Sequence, residues 1–268
     1  MFAGIQALHL PDTKVTEPFD GLLGMFYTKL VSQYQQDSAW FAEHAAPQPS
    51  EVLDLCCGGG RSVVALAAAG HRVTGVDISA AQLAAAEKRV ADKGVADRVD
   101  LLRDDVTTLN LGRTFNAVVI GGLSLTLFQG PQRAALLNTV RTHLAPGGRL
   151  LFDHTPVRSG ETELEQVLTL PVKLRDRAGF VLVGTLRQPD SATQFTNMYG
   201  ELVDGTGHTR RYLTGFRFRI DNQAQIAEEL TAAGLTARAV HDDPMTASKG
   251  KASPFATRQY VIAEQADR

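Results

Sequence analysis

The fold is decided by the stretch Val52-Leu53-Asp54-Leu55-Cys56-Cys57-Gly58-Gly59-Gly60-Arg61. The apolar residues up to Leu55 predict a short buried strand, and the glycines after it predict a turn whose bare backbone a ligand can approach closely. The apolar segment from Arg61 to Ala69 then predicts a helix. A strand, a glycine turn and a helix in this order predict a cofactor site at the carboxyl end of the strand.

A second acidic residue, together with the glycine turn, indicates which class of cofactor the site binds. Asp77 ends the next predicted strand, His71–Val76, and stands 23 residues after Asp54. A carboxylate accepts hydrogen bonds without donating any, so it suits the two hydroxyls of a ribose. A dinucleotide fold requires G-x-G-x-x-G around a pyrophosphate, but Cys56 occupies the first glycine position here. Asp54 would also repel a phosphate and attract an ammonium, so the pattern favours an adenosine cofactor that carries an amino acid.

Strands and helices alternate in the residues that follow, which predicts a parallel sheet covered on both faces. The further strands are expected at 99–102, 115–120 and 148–153, and the helices between them at 80–93 and 131–144. Beyond residue 157 the pattern becomes β-rich, with predicted antiparallel strands at 180–186, 195–203 and 212–220. A helix at 222–233 and two strands, at 235–241 and 257–263, are expected to complete the sheet.

In this order the motifs resemble those of class I S-adenosylmethionine-dependent methyltransferases. The glycine turn resembles their first motif, and Asp77 matches their ribose-binding acid. Arg103-Asp104-Asp105-Val106 resembles their adenine-contacting segment, and Leu144-Ala145-Pro146-Gly147-Gly148-Arg149-Leu150-Leu151 resembles the strand after their last crossover helix. The likeness covers about residues 20–155. Cys56 departs from the usual glycine and Asn116 from the common Asp, but a cysteine is small enough for the turn to survive.

The resemblance implies a fold and three parts of the chain. The fold class is α/β, a Rossmann-like seven-stranded methyltransferase sheet with helices on both faces and a small antiparallel β insertion after the fifth strand. Residues 1–45 are expected to form an N-terminal helical lid, and residues 46–156 with 221–268 the cofactor-binding core. Residues 157–220 are expected to form the insertion, which roofs the substrate pocket or joins two copies in a homodimer.

The resemblance also implies roles for individual residues. Asp54 and the Gly58–Gly60 backbone would hold the methionine end, Asp77 the ribose, and Asp105 with Val106 the adenine. Ile120 and Gly121 would lie beside the sulfonium. The full set expected to bind S-adenosyl-L-methionine, or the product S-adenosyl-L-homocysteine, is Asp54, Cys56, Gly58, Gly60, Asp77, Ile78, Asp105, Val106, Ile120 and Gly121.

Candidate catalytic residues must lie beyond the carboxyl ends of the strands. Asp153 and His154 end the fifth predicted strand and are the best pair for accepting a proton or orienting a nucleophile. Tyr27 lies in the segment expected to cover the cofactor. The opening segment around Phe19 and Tyr27 also resembles methyltransferases of bacterial natural-product pathways, including those that act on modified peptides of the daptide type.

Composition limits the remaining function classes. The 268 residues carry 27 Lys and Arg against 29 Asp and Glu, a net charge of −2, which offers no basic surface for nucleic acid or an anionic membrane. The only two cysteines are adjacent, which excludes a disulfide framework and a four-cysteine zinc site. The longest apolar run, Val63–Ala69, is too short to cross a membrane, and no signal peptide is recognisable at the N-terminus. We therefore expect a cytoplasmic protein without a bound metal.

The sequence thus predicts an enzyme that transfers a methyl group from S-adenosylmethionine to an amine of a small molecule or modified peptide, in bacterial secondary metabolism. The alternative is O-methylation of a small-molecule hydroxyl, with His154 as the base. More distant alternatives are a Rossmann protein that binds NAD and one that binds its ligand without catalysis.

Overall fold

The computed structural model describes residues 5, 7–31, 36–47, 49–157, 159–174, 176–242 and 258–266. These residues belong to two compact units. The smaller comprises residues 1–31 and 157–220, and the larger comprises residues 32–156 and 221–268. The chain therefore leaves the larger unit after its fifth parallel strand and returns to it sixty-odd residues later.

The strands in chain order are β1 (Thr13–Val15), β2 (Glu51–Leu55), β3 (Arg72–Asp77), β4 (Val99–Arg103), β5 (Phe115–Ile120), β6 (Leu144–His154), β7 (Leu164–Leu174), β8 (Arg177–Gln188), β9 (Thr193–Asp204), β10 (Thr209–Arg219), β11 (Leu235–Asp242) and β12 (Gln259–Gln265). The helices are α1 (Gly21–Val31), α2 (Gln36–His44), α3 (Arg61–Ala68), α4 (Ala80–Lys93), α5 (Gly130–His143) and α6 (Gln223–Ala232).

The larger unit is built on a seven-stranded sheet of order β11-β12-β6-β5-β2-β3-β4. Strands β2 to β6 pair in parallel, whereas β12 runs antiparallel to both of its neighbours. The order reverses at β2 because β3 and β4 lie on one side of it and β5 and β6 on the other. Such a reversal opens a crevice at the carboxyl ends of the strands, where ligands bind in sheets of this kind. The expected fold class, a Rossmann-like seven-stranded sheet, is confirmed.

Two apolar layers hold the helices against the sheet. On one face, Val118, Ile120 and Phe152 pack with apolar residues of α5 and α6. On the other face, Val119 and Leu151 pack with apolar residues of α2, α3 and α4. Successive residues of a strand point to opposite faces, so β5 and β6 contribute to both layers, and this is why they read as continuous apolar runs.

Local signals account for the helix boundaries. Ser79 accepts a hydrogen bond from the backbone N–H of Gln82 at 3.3 Å and caps α4. Gly94 ends the same helix in the left-handed conformation, with φ 67°. Asn222 and Gln225 form a reciprocal capping box at the start of α6.

The smaller unit contains a five-stranded sheet of order β1-β10-β9-β8-β7. Strands β8, β9 and β10 correspond to the three β-rich stretches of the sequence. Strand β7, which pairs antiparallel with β8 from Leu164 to Leu174, was not expected, and neither was the short parallel strand β1. Strand β7 alternates imperfectly and contains Pro171, which is tolerated because the strand lies at the edge of the sheet.

The N-terminal segment expected as one helical element is divided between the units. Helix α1 belongs to the smaller unit and α2 to the larger one. Residues 32–35, which the sequence places between them in the same helical stretch, lie outside the described residues. The role of residues 1–45 as a lid stays a prediction.

Candidate active site

The glycine turn joins β2 to α3 in a backbone conformation that favours glycine. Gly58 and Gly60 have φ angles of 52° and 74°, in the left-handed region. A Cβ atom at Gly60 would lie 2.9 Å from the Cβ of Ala86, so α4 approaches the turn too closely for a side chain there. The turn is held by the N–H of Cys57, which donates to the carbonyl of Val76 at 3.0 Å.

Cys56 adopts a left-handed conformation as well, with φ 58°. This is the position at which the related motif usually has glycine, and the positive φ gives the physical reason for that preference. The turn nevertheless forms with cysteine, as expected from its small side chain. Burial raises the pKa of the Cys56 thiol well above its usual range, so the side chain is not a reactive thiolate.

The Asp77 carboxylate ties the glycine turn to the end of β3. Its Oδ2 accepts a hydrogen bond from the N–H of Gly58 at 2.8 Å, and its Oδ1 accepts one from the N–H of Ser79 at 2.9 Å. Each carboxylate oxygen has a second lone pair. Asp77 can therefore hold the turn and still accept hydroxyl hydrogens from a ligand.

Asp54 lies beneath the turn with 1% of its surface exposed. Ser62 donates a hydrogen bond to its Oδ2 at 2.5 Å, whereas its Oδ1 has no hydrogen-bond partner among the described residues. Burial raises the pKa of this carboxyl to about 7, against the opposing effect of the Ser62 hydroxyl. A buried carboxyl with an unpartnered oxygen suits a cationic ligand group, which would supply the missing donor and favour the ionised form.

The residues expected around an adenosine lie beside this turn. The N–H of Asp104 donates to the carbonyl of Asp77 at 3.3 Å, which joins the loop after β4 to the end of β3. Asp105 is exposed and accepts hydrogen bonds from the N–H and the hydroxyl of Thr107, and Val106 is 5% exposed. Ile78 is 65% exposed.

The end of β5 is packed tightly by α2. Ile120 is fully buried, and a Cβ atom at Gly121 would lie 2.8 Å from Cε2 of Phe41. Leu123 follows in the left-handed conformation, with φ 63°, and its N–H donates to Oδ1 of Asp153 at 3.0 Å. The Asp153 carboxylate thus fixes the turn after β5.

The structure does not bring Asp153 and His154 to one site. They are successive residues of β6 and point to opposite faces: Asp153 to the face of α2 and α3, and His154 to the face of α5 and α6. Both are buried, at 0% and 1% exposure. Burial raises the pKa of Asp153 to about 6 and lowers the pKa of His154 to about 4.

Tyr27 belongs to the smaller unit. Its ring makes edge contacts with Phe19 and Phe216, at centroid distances of 5.2 and 5.7 Å. The ring of Tyr27 therefore packs within the smaller unit. A catalytic role for Tyr27 stays a prediction.

Three charged residues at the site were not predicted as functional. Asp37 of α2 accepts two hydrogen bonds from Arg61, and Arg258 lies 3.0 Å from Asp37 and 3.1 Å from Asp153. Arg61 could have been noticed, because it directly follows the glycine turn. Asp37 and Arg258 carry no local signal, since each acts through residues far away in the sequence.

The described residues contain no group of three or more His, Cys, Asp or Glu side chains placed to hold a metal ion. Within the same ranges, no helix has the length and apolar character needed to cross a membrane.

With this geometry established, comparison with known proteins identifies the domain. Residues 52–148, from β2 into β6, match the family described as a methyltransferase domain. This chain carries a methyltransferase domain. The matched segment contains the glycine turn, Asp77, Asp105 and the end of β5, which are the features assembled at the carboxyl edge of the sheet.

One curated relative is the cypemycin N-terminal methyltransferase of a Streptomyces species, 36% identical over 118 residues. That alignment covers 44% of this chain and 46% of the relative, so it spans less than half of either. Solved structures match over more of the chain. The sugar N-methyltransferase KedS8 of a Streptoalloteichus species has a TM-score of 0.70 at 19% identity, over 92% of this chain and 94% of that one.

The glycopeptide N-methyltransferase MtfA, solved in complex with S-adenosylmethionine, has a TM-score of 0.58 at 25% identity. That match covers 86% of this chain and 93% of MtfA. The fold of this chain is therefore that of S-adenosylmethionine-dependent methyltransferases over most of its length.

The left-handed conformation at Cys56 leads to a prediction about stability. Cys56→Gly should change the free energy of unfolding by less than about 1 kcal/mol, because relief of backbone strain offsets the larger entropy of the unfolded glycine chain. Cys56→Val should lose about 2 kcal/mol or more, since a β-branched residue is poorly tolerated at positive φ.

Urea unfolding measures both variants, and Cys57→Gly is the matched control. Cys57 is buried and is not among the residues with positive φ, so glycine there removes packing without relieving strain and should cost more than Cys56→Gly. Equal stability of Cys56→Val and Cys56→Gly would contradict the assignment of strain to this residue.

Proposed function

We propose that this protein transfers a methyl group from S-adenosyl-L-methionine to an amine of a small molecule or modified peptide. The observation that carries the proposal is the buried Asp54 carboxyl beneath the glycine turn, whose Oδ1 has no donor in the part of the chain that the structure describes. A cofactor with an α-ammonium group and a ribose would satisfy both Asp54 and Asp77.

The remaining residues would hold the rest of the cofactor. Asp54 with the N–H groups of Gly58 and Gly60 would bind its amino-acid end, next to Cys56. Asp77 and Ile78 would contact the ribose, and Asp105 with Val106 the adenine. Ile120 and Gly121 would lie beside the sulfonium, whose methyl group is the electrophile that the cofactor supplies.

The protein's contribution to such a reaction is alignment and exclusion of water. An alkylammonium with a pKa of about 10.4 is deprotonated only about once in a thousand molecules at pH 7, so a dry pocket that disfavours the charged form assists the amine. Asp153 is fully buried and bonded to the Leu123 N–H, so its proposed role is to orient the turn beside the methyl group.

The activities named for the relatives support an amine acceptor. The curated relative is an N-terminal methyltransferase, and the two solved structures are a sugar and a glycopeptide N-methyltransferase. The alternative, O-methylation of a hydroxyl, needs a base. His154 would serve, but its buried imidazole has a pKa of about 4 and lies on the opposite face of β6 from Asp153.

The first prediction concerns the cofactor. The purified protein should bind S-adenosylhomocysteine with micromolar affinity and should not bind NAD. Asp77→Ala should weaken this binding at least a hundredfold, because it removes the ribose acceptor and releases the N–H of Gly58. Isothermal calorimetry measures the affinities, and Asp100→Ala, at an exposed acid of β4, is the matched control. Binding of NAD without S-adenosylhomocysteine would refute the proposal.

A second prediction concerns pH. The pKa of the free Asp54 carboxyl is about 7, and an ammonium ligand favours its ionised form. The affinity for S-adenosylhomocysteine should therefore rise nearly tenfold per pH unit below pH 7 and level off above it, with one proton released on binding at pH 6. Asp54→Asn should bind weakly and lose this dependence.

Calorimetry at several pH values measures this, with 5′-methylthioadenosine as the control ligand. It has the adenosine part but no amino acid, so its affinity should not follow the ionisation of Asp54. The same pH dependence for both ligands would show that another group is responsible.

A third prediction separates amine from hydroxyl transfer. Incubation with S-adenosylmethionine should release S-adenosylhomocysteine in the presence of peptides or amino sugars with a free amine, and not with their N-acetylated counterparts. When the methyl acceptor is one of the amines that the protein uses, His154→Gln should change turnover less than threefold. Transfer to the N-acetylated compounds would favour the hydroxyl mechanism. A tenfold loss of turnover with unchanged cofactor affinity would show that His154 takes part in the amine reaction.

A further inference from the structure

Four charged side chains of the larger unit form a chain of alternating ion pairs. The Arg61 guanidinium binds both carboxylate oxygens of Asp37, each at 2.7 Å. Nη1 of Arg258 lies 3.0 Å from Oδ2 of Asp37 and 3.1 Å from Oδ2 of Asp153. Two positive and two negative groups thus follow one another in the order Arg61, Asp37, Arg258 and Asp153, which we call the ion-pair chain.

The members of the ion-pair chain come from three secondary-structure elements and the residue before a fourth. Arg61 begins α3 directly after the glycine turn, and Asp37 lies in the first turn of α2. Arg258 precedes β12, and Asp153 lies near the end of β6. The segments that they join are the ones whose positions shape the proposed methyl-donor pocket, at the carboxyl edge of the sheet.

The ion-pair chain also reaches the turn after β5. Oδ1 of Asp153 accepts the hydrogen bond from the N–H of Leu123, and Nη2 of Arg61 lies 3.9 Å from the place of a Cβ at Gly122. Phe41, one turn of α2 after Asp37, touches the position of a Cβ at Gly121. The Gly121–Leu123 turn is therefore packed by α2 and hydrogen-bonded by Asp153 at one end of the ion-pair chain, and Arg61 at the other end lies near Gly122.

Burial makes the ion-pair chain sensitive to the loss of any member. The Asp37 and Asp153 side chains are 3% and 0% exposed, and those of Arg61 and Arg258 are 18% and 17% exposed. Removal of one partner leaves a poorly solvated charge with less compensation, which is more damaging than the loss of an exposed pair. Asp37 is the only member that pairs with both arginines and so connects the two halves.

We propose that Asp37 is a positioning residue for the methyl-donor pocket, acting through Arg61 on the glycine turn and through Arg258 and Asp153 on the Gly121–Leu123 turn. This inference rests on the proposed function, because it takes the pocket between these turns to be the cofactor site. Asp37 itself need not touch the cofactor or the substrate.

The pKa of Asp153 depends on the charges of the other members of the ion-pair chain, so its titration reports on them. The charged groups that act on it are Arg258 before β12, Asp37 of α2 and Arg61 of α3, and the Leu123 N–H is its neutral donor. Burial raises the pKa of Asp153, Arg258 lowers it and Asp37 raises it. Removal of the Asp37 charge should therefore lower this pKa, whereas removal of the Arg258 charge should raise it.

The experiment uses the full chain, with S-adenosylhomocysteine as the probe. Asp37→Asn should weaken its binding at least tenfold, and Asp37→Glu should restore part of the affinity. Carbon-detected NMR of protein labelled at the aspartate carboxyls should show the Asp153 titration at lower pH in Asp37→Asn and at higher pH in Arg258→Met. Asp92→Asn, which removes an exposed pair with Lys88 at 2.7 Å, is the matched control and should change neither quantity.

The outcomes separate this inference from the proposed function. If the parent protein does not bind S-adenosylhomocysteine, the proposed function fails. If the parent binds it and Asp37→Asn binds it equally well, or both variants move the Asp153 titration in the same direction, the positioning role is overturned.

If Asp37→Asn does not fold, the affinity of two Arg258 variants for S-adenosylhomocysteine tests the proposal instead. Arg258→Lys keeps the charge and should keep the affinity within threefold, whereas Arg258→Met should lose at least tenfold. Equal affinity of these two variants would overturn the proposal.

Discussion

The hydrogen bond from the N–H of Gly58 to the Asp77 carboxylate is the interaction on which the candidate site depends. It joins the turn after β2 to the end of β3. The carboxyl ends of these two neighbouring strands, at the point where the strand order reverses, are therefore held together. The bond is made with Gly58 in a left-handed conformation, with φ 52°. This contact therefore joins the glycine turn to the proposed acceptor for a ribose.

The carboxyl edge of the sheet concentrates acids that differ in their environment. Asp105 is exposed, whereas Asp54 and Asp153 are buried and their pKa values are raised to about 7 and about 6. Asp37 is also buried, which opposes its ionisation, but Arg61 and Arg258 outweigh this effect and hold its pKa below the ordinary value. Electrostatic compensation is thus complete at Asp37 and incomplete at Asp54, which leaves Asp54 ready for a cationic ligand.

The sequence predicts features with local causes well. The strand that ends at Leu55 and the glycine turn after it follow from an apolar run and a run of glycines, and the structure reproduces both. Strand β7 was missed because it lies at a sheet edge, where one face and one row of hydrogen-bonding groups are free and alternation is weakly required. Asp153 and His154 were expected to act together, but the two-residue period of a strand sends them to opposite faces.

What the sequence by itself determined is the order of strands and helices from β2 to β6, the glycine turn and the acids that follow its neighbouring strands, because these depend on residues close together in the chain. Only the tertiary structure decided the ion-pair chain, in which Asp37 meets Arg258 across 221 positions. It also decided that Oδ1 of Asp54 is buried without a donor among the described residues. Burial and charge pairing arise from the packing of distant segments, so no local pattern of residues can report them.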